Sequence, residues 1–326
     1  MTQLPTFADV SAAAERLRGH AVRTPLLRHD RLDALAGTRL FIKPECEQHV
    51  RAFKYRGARN RLAAMTETER ARGVVAFSSG NHAQGVARAA RELGVDAVIV
   101  MPHDAPEVKA AGVRADGASI VGYDRATQSR EAIAAEIASR DGRTLVPSFD
   151  DPFIIAGQGT VGLEIAEDAG ASLDGQDFDA VITCIGGGGL CAGIALALAE
   201  RSPHTHLHGA EPDAYNDHQR SLASGHRERL TETPLSLCDA ILTPQPGELT
   251  WPINSRHLKA VHTVSDAEAL GAMRTLWETL GLRSEPGGAV ALASALRGDL
   301  SHYGSVCAVV SGGNVDAGVW EAALAG

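Results

Sequence analysis

From about residue 73 the chain alternates between two kinds of block. Short apolar runs at 73–77, 97–101, 118–121 and 144–146 read as strands, and the segments at 81–93 and 128–139 carry helical spacing. After a helix at 157–168 the alternation resumes with a strand at 180–185, a helix at 190–199 and a strand at 206–211. A candidate strand at 261–264 follows, then helices near 266–280 and 288–297 and a last strand at 306–310. Buried strands separated by helices predict parallel βαβ units. Ahead of them, Phe7, Val10, Ala13, Ala14 and Leu17 share a helical face over 7–19, residues 39–43 form a short apolar strand, and a helix runs from Lys54 to about Met65.

No Ser/Gly/Pro-rich linker separates the blocks. The expectation is an α/β protein of two interlocked units, 1–72 with 150–326 forming the larger and 73–149 an inserted smaller one. A length of 326 residues suits such a pair. Ligands of open parallel sheets bind beyond the carboxyl ends of the strands, so the cleft between the units is the expected site.

Composition removes several function classes. At 44% hydrophobic and 22% charged residues the chain is ordinary for a globular protein, and its net charge of −9, with no basic cluster among aromatics, argues against nucleic acid. No apolar run is long enough to span a bilayer and no leader pattern opens the chain, so no membrane role is expected. Five scattered cysteines without a CxxC pair read as reduced thiols of a cytoplasmic protein.

Four stretches carry candidate chemistry, and a fifth offers metal ligands. Lys54 is one of only four lysines against twenty-seven arginines, in the stretch Ala52-Phe53-Lys54-Tyr55-Arg56-Gly57. Taken alone it is a helix-flanking charge, yet an amine forms a Schiff base where a guanidinium cannot. Gly186-Gly187-Gly188-Gly189 follows an apolar strand and opens a helix, which suits a phosphate. It lacks both the Lys-Ser/Thr of a P-loop and the GxGxxG of a dinucleotide site. Ser78-Ser79-Gly80-Asn81-His82 groups polar side chains at another strand-to-helix junction, either as a plain cap or as a carboxylate site. Ser311-Gly312-Gly313-Asn314 ends the last strand. Glu211-Pro212-Asp213-Ala214-Tyr215-Asn216-Asp217 offers hard oxygen ligands or a solvated acidic loop.

In this order the stretches resemble the fold-type II pyridoxal-phosphate enzymes over about residues 24–316, closest to the serine/threonine dehydratases, serine racemases and L-threo-3-hydroxyaspartate ammonia-lyases. The resemblance implies the tryptophan synthase β-like fold, two open twisted sheets with flanking helices and pyridoxal 5′-phosphate in the cleft. It implies that Lys54 carries the cofactor beside Phe53, that Asn81 meets the ring 3-oxygen, and that Gly186, Gly187, Gly188 and Gly189 hold the phosphate. Ser311 would meet the pyridine nitrogen, and Ser78, Ser79 and His82 the substrate carboxylate. Glu211, the Tyr215 carbonyl and Asp217 match a divalent-cation site for Mg2+, Ca2+ or Mn2+. Arg130 aligns with an arginine that can meet a second substrate carboxylate. One departure stands at His49-Val50-Arg51, where relatives carry small residues; Arg51 either lines the pocket or faces solvent.

The implied activity is α,β-elimination of water from an L-β-hydroxy amino acid, such as 3-hydroxyaspartate, threonine or serine, to a 2-oxo acid and ammonia, with Lys54 taking the Cα proton. Two alternatives accompany it: a serine or aspartate racemase with Lys54 and Ser79 as its two bases, and a regulatory protein that binds the cofactor without catalysis. A homodimer acting on a small amino acid is the expected working form.

Overall fold

Strand formation follows the apolar runs, and strand order decides what they bring together. The computed structural model describes residues 3–105 and 107–325. Its strands are β1 (Leu27–Arg28), β2 (Arg39–Pro44), β3 (Val74–Phe77), β4 (Ala97–Pro102), β5 (Ser119–Tyr123), β6 (Thr144–Leu145), β7 (Ala180–Cys184), β8 (His206–Pro212), β9 (Leu258–Val264) and β10 (Ser305–Val310). They form a six-stranded sheet, β1-β2-β10-β7-β8-β9, and a four-stranded sheet, β5-β4-β3-β6. Only β1 runs antiparallel to its neighbour; every other pairing of these strands is parallel. The central strands are buried along their whole length, as parallel strands covered on both faces by helices must be. The fold is the two-sheet α/β architecture expected from the sequence.

The larger sheet centres one core, with Ile182, Ile194, Leu292 and Val309 fully buried. The smaller sheet has a core on each face, one around Ile99, Met101 and Val113 and one around Val75, Val100 and Ile137. Helix Lys54–Ala63 adds Ala58 and Leu62 to the first of these. The boundary read at residue 73 therefore marks the first strand of the smaller layer, while its core begins earlier in the chain.

Several helices outrun or escape the periodic pattern. The helix expected at 157–168 spans Pro152–Ser172, because Asp151 caps it by accepting from the Phe153 and Ile154 amides at 2.8 and 2.9 Å, with proline in its first turn. Helices Glu107–Ala115, Asp217–Ser224 and Thr250–His257 are short and mixed in character, so their apolar spacing gave no signal. All five cysteines are buried and unpaired. Among the described residues no helix is long and apolar enough to cross a membrane.

Candidate active site

Lys54 opens a helix held from two sides. A side chain on Gly85 would stand 3.2 Å from the Lys54 backbone carbonyl, and one on Gly157 2.7 Å from the Gly57 backbone, so glycine at both positions lets three helices cross closely. Arg56, two residues on and almost fully buried, donates to both oxygens of Glu45 at 2.7 and 2.8 Å and of Glu164 at 2.6 and 2.9 Å. Lys43 completes this buried network by donating to Glu164 at 2.6 Å. The network ties the start of the Lys54 helix to β2 and to helix Pro152–Ser172.

Upstream of Lys54 the backbone is strained. Val50 and Arg51 hold φ of 52° and 56°, a left-handed conformation that disfavours a β-branched residue. Contacts with the loop after β10 keep it there: Phe53 N donates to Ser311 O at 3.1 Å, Gly313 N to Arg51 O at 2.9 Å, and Asn314 Nδ2 to Val50 O at 2.8 Å. Arg51 itself is exposed, with its guanidinium 3.4 Å from the Arg283 carbonyl. It faces away from the cavity, so the reading of Arg51 as a pocket residue does not hold.

The carboxyl ends of β3, β7 and β10 meet around one cavity of about 550 Å³. Phe53, Lys54, Ser78, Ser79, Asn81, His82, the four glycines, Ser311 and Arg130 all line it. Lys54 Nζ donates to the Ser148 carbonyl at 2.8 Å and lies 5.1 Å from the centre of the Phe53 ring. Burial pushes its pKa down to about 8, against a weaker upward pull from Cys184 and Glu285. An amine with that pKa is partly neutral near pH 7 and can act as nucleophile or base.

His82 is constrained more tightly than its sequence position implied. Its Nε2 lies 2.9 Å from the Val146 carbonyl, which can only accept, so Nε2 carries a proton. Burial, with the Lys54 charge, lowers the ring's pKa to about 3, which leaves Nδ1 a bare acceptor without a partner among the described residues. A neutral His82 therefore has no proton to offer an anion at Nδ1.

The glycine turn is shaped by its neighbours. A Cβ at Gly187 would fall 2.3 Å from the Phe149 ring and one at Gly186 3.0 Å from Ile241, while Gly188 holds a φ of 94°. Thr250 Oγ1 donates to Gly187 O at 2.6 Å and Asn254 Nδ2 to Gly188 O at 3.2 Å. These bonds direct the Gly187 and Gly188 carbonyls to helix Thr250–His257. Helix Gly189–Arg201 then begins with its free amides and positive dipole end at the cavity.

Beside it, Cys184 Sγ donates to Ser311 Oγ at 3.2 Å, since β10 lies next to β7. The amide of Asn81 is held at both ends: it donates to Glu285 Oε1 and accepts from Asn314 Nδ2 at 2.8 Å. Glu285 is buried, and burial reinforced by Asp239 raises its pKa to about 7. Sequence reading missed Glu285; its signal was the helix start Ser284-Glu285-Pro286-Gly287-Gly288, where a polar pair runs into proline and two glycines. Lys109 and Asp239, an ion pair at 2.7 Å that lines the cavity, were missed as well, because they lie on elements without periodicity.

Arg130 lines the cavity but is half exposed, pairs with Glu131 at 2.8 Å and stacks 5.5 Å over Phe77. Glu211, Tyr215 and Asp217 sit apart, at the end of β8 and in the turn Asp213–Tyr215 and helix that follow. Glu211 accepts from the amides of His218 at 3.2 Å and Gln219 at 2.8 Å. Burial and the Asp217 charge raise the pKa of Glu211 well above the usual carboxylate range, and burial raises that of Asp217. His218, which the sequence reading did not single out, completes a cluster of three candidate ligands within 4.8 Å of one another.

Residues 17–312 match the family described as pyridoxal-phosphate dependent enzyme. The chain is 44% identical to an L-threo-3-hydroxyaspartate ammonia-lyase of Pseudomonas sp, covering 99% of this chain and 100% of that one. It is 38% identical to a serine racemase of Schizosaccharomyces pombe, over 96% of this chain and 95% of the other. The solved structure of maize serine racemase superposes with a TM-score of 0.92 at 34% identity, covering 98% of this chain and 97% of that one. With Lys54, the glycine turn and Ser311 gathered at one cavity inside the matched span, the chain belongs to the pyridoxal-phosphate-dependent enzyme family.

Proposed function

We propose that this protein is an ammonia-lyase that eliminates water from an L-β-hydroxy amino acid, 3-hydroxyaspartate foremost, and releases a 2-oxo acid and ammonia. The observation that carries the reading is Lys54: a buried amine with a pKa of about 8, in a cavity it shares with hydroxyls, a glycine turn and an arginine. The similarity to ammonia-lyases supports the same reading.

The residues present fit pyridoxal phosphate. Four glycines at a helix start leave amides and no Cβ atoms, as a phosphate requires. Ser311 accepts from Cys184 and keeps its own proton to offer a pyridine nitrogen, while Asn81 keeps one amide proton for the ring 3-oxygen. When bound, the cofactor supplies the electron sink that weakens the substrate Cα–H bond.

The chain's own groups do the rest. Lys54 Nζ, neutral in part at working pH, takes the Cα proton. Ser78, Ser79 and the free amides at the start of helix Asn81–Leu93 hold the α-carboxylate. His82, with its one proton on Val146, shapes this pocket and does not donate to it. Arg130 leaves Glu131 to meet a second carboxylate. Phe53, Phe77 and Phe149 keep the reacting face apolar.

Glu211, Asp217 and the Tyr215 carbonyl hold a divalent cation, Mg2+, Ca2+ or Mn2+. Two buried carboxyls with raised pKa, and an Asp217 oxygen that accepts no well-formed hydrogen bond and has the His218 ring 3.3 Å away, fit that charge. The working form is a homodimer, which light scattering will test.

A substrate panel with Mg2+ or EDTA tests the activity, monitored for 2-oxo acid and ammonia. It comprises L-serine, L-threonine, both L-3-hydroxyaspartate diastereomers and L-phenylserine. Turnover confined to hydroxyaspartate is expected, and no product from any substrate would overturn the reading. Racemisation is the second reading, favoured by Ser79 lining the cavity with Lys54 and by the racemase relatives. Loss of D/L exchange in Ser79→Ala with elimination retained would support it.

A further inference from the structure

We propose that His218 supplies a nitrogen ligand to the cation held by Glu211 and Asp217, so that the site selects a transition ion such as Mn2+ over Mg2+ and Ca2+. This rests on the reading of Glu211 and Asp217 as a cation site and goes beyond it by assigning the donor set and the ion class.

Three observations carry it. The His218 side chain is completely buried, and neither of its ring nitrogens has a hydrogen-bond partner among the described residues. Buried polar atoms are seldom left so, and a cation at Nδ1 would remove the cost of one of the two. Nδ1 lies 3.3 Å from Asp217 Oδ2 and 3.9 Å from Glu211 Oε2. Donors bonded at right angles to one small divalent ion stand about 3 Å apart, so these separations suit shared coordination.

The third observation is how the ring is held. The His218 amide donates to Glu211, which sets the carboxylate and the ring at the same helix start. The far edge of the ring abuts the glycine turn: a Cβ on Gly188 would lie 3.1 Å from Nε2. The imidazole thus fills the space between the carboxylates and Gly188, and Nδ1 is the nitrogen nearer the pair. Oxygen-only sites favour Mg2+ and Ca2+, whereas an imidazole donor shifts preference along the series towards transition ions.

The test uses the cofactor-loaded enzyme stripped of metal with EDTA and titrated with MnCl2, MgCl2 or CaCl2. Pulsed EPR of the Mn2+ form is expected to show 14N modulation from a coordinated imidazole. Competition should show Mn2+ binding at least about tenfold more tightly than Mg2+. In His218→Gln the 14N modulation disappears and the preference narrows to about two- to threefold. Bound Mn2+ without 14N modulation in the wild-type protein would overturn the ligand assignment while leaving the carboxylate site standing. No Mn2+ binding at all would overturn the cation site itself, and the assignment with it. The EPR readout on wild-type protein holds even if the variant fails to fold.

Discussion

Replacing Glu285 by glutamine tests the electrostatics of the cavity most directly. Glu285 is buried, accepts from Asn81 and has a pKa raised to about 7, while in the unfolded chain it returns to the ordinary 4.5. A carboxyl whose folded pKa is raised contributes fully below the unfolded pKa, and that contribution is lost as pH rises through the folded one. Between these values the unfolded chain releases its proton and the folded chain keeps it. The resulting penalty on the wild-type protein is about 1 kcal/mol at pH 5 and about 3 kcal/mol at pH 8. Glutamine keeps the acceptor for Asn81 and cannot ionise. The metal-free apoprotein of Glu285→Gln should therefore match the wild type within about 1 kcal/mol at pH 5 and exceed it by about 3 kcal/mol at pH 8. Urea unfolding at a series of pH values measures this, and the shared titration of Glu211 and Asp217 cancels in the difference. Parallel stability curves from pH 5 to 8 would show Glu285 ionised throughout and refute the reasoning.

Three further outcomes follow from the geometry. With a Lys54 pKa of about 8, pyridoxal phosphate should load onto the apoprotein about tenfold more slowly at pH 7 than on the plateau above about pH 9; a rate independent of pH, followed by absorbance, would contradict this. Gly187→Ala places a Cβ 2.3 Å from the Phe149 ring and should destabilise the turn by about 1–3 kcal/mol. Equilibrium titration of the variant with cofactor should show weaker binding, and unchanged affinity would mean the turn is not the phosphate cradle. Arg56→Ala strands Glu45 in the interior, leaves Glu164 with Lys43 as its one remaining bonded cation, and should cost about 3–5 kcal/mol in urea unfolding. A loss below about 1 kcal/mol would show that water enters the gap.

The βαβ alternation, the glycine turn and the rare lysine were legible because each is a local pattern. An apolar run makes a buried strand wherever it lies, and four glycines admit a phosphate whatever surrounds them. Short helices such as Glu107–Ala115 escaped because their residues are small and mixed, and tertiary packing alone stabilises them. Glu285, His218 and the role of Asn314 escaped for another reason: their chemistry lies in their partners. Glu285 stands 204 residues from Asn81, and Asn314 stands 264 residues from the Val50 carbonyl it holds.

By itself the sequence determined the class of the fold, the family and the motifs that line the cavity, since these depend on residue type and short-range spacing. The tertiary structure decided the states of those residues. Strand order set β10 between β2 and β7, which brought Ser311 against Cys184 and joined the loop after β10 to the strained turn before Lys54. It turned Arg51 outward, fixed the single proton of His82 on Val146 and buried His218 beside two carboxylates. Charge, protonation and orientation depend on neighbours that are distant in the chain and on the water they exclude, and only the folded arrangement brings those neighbours together.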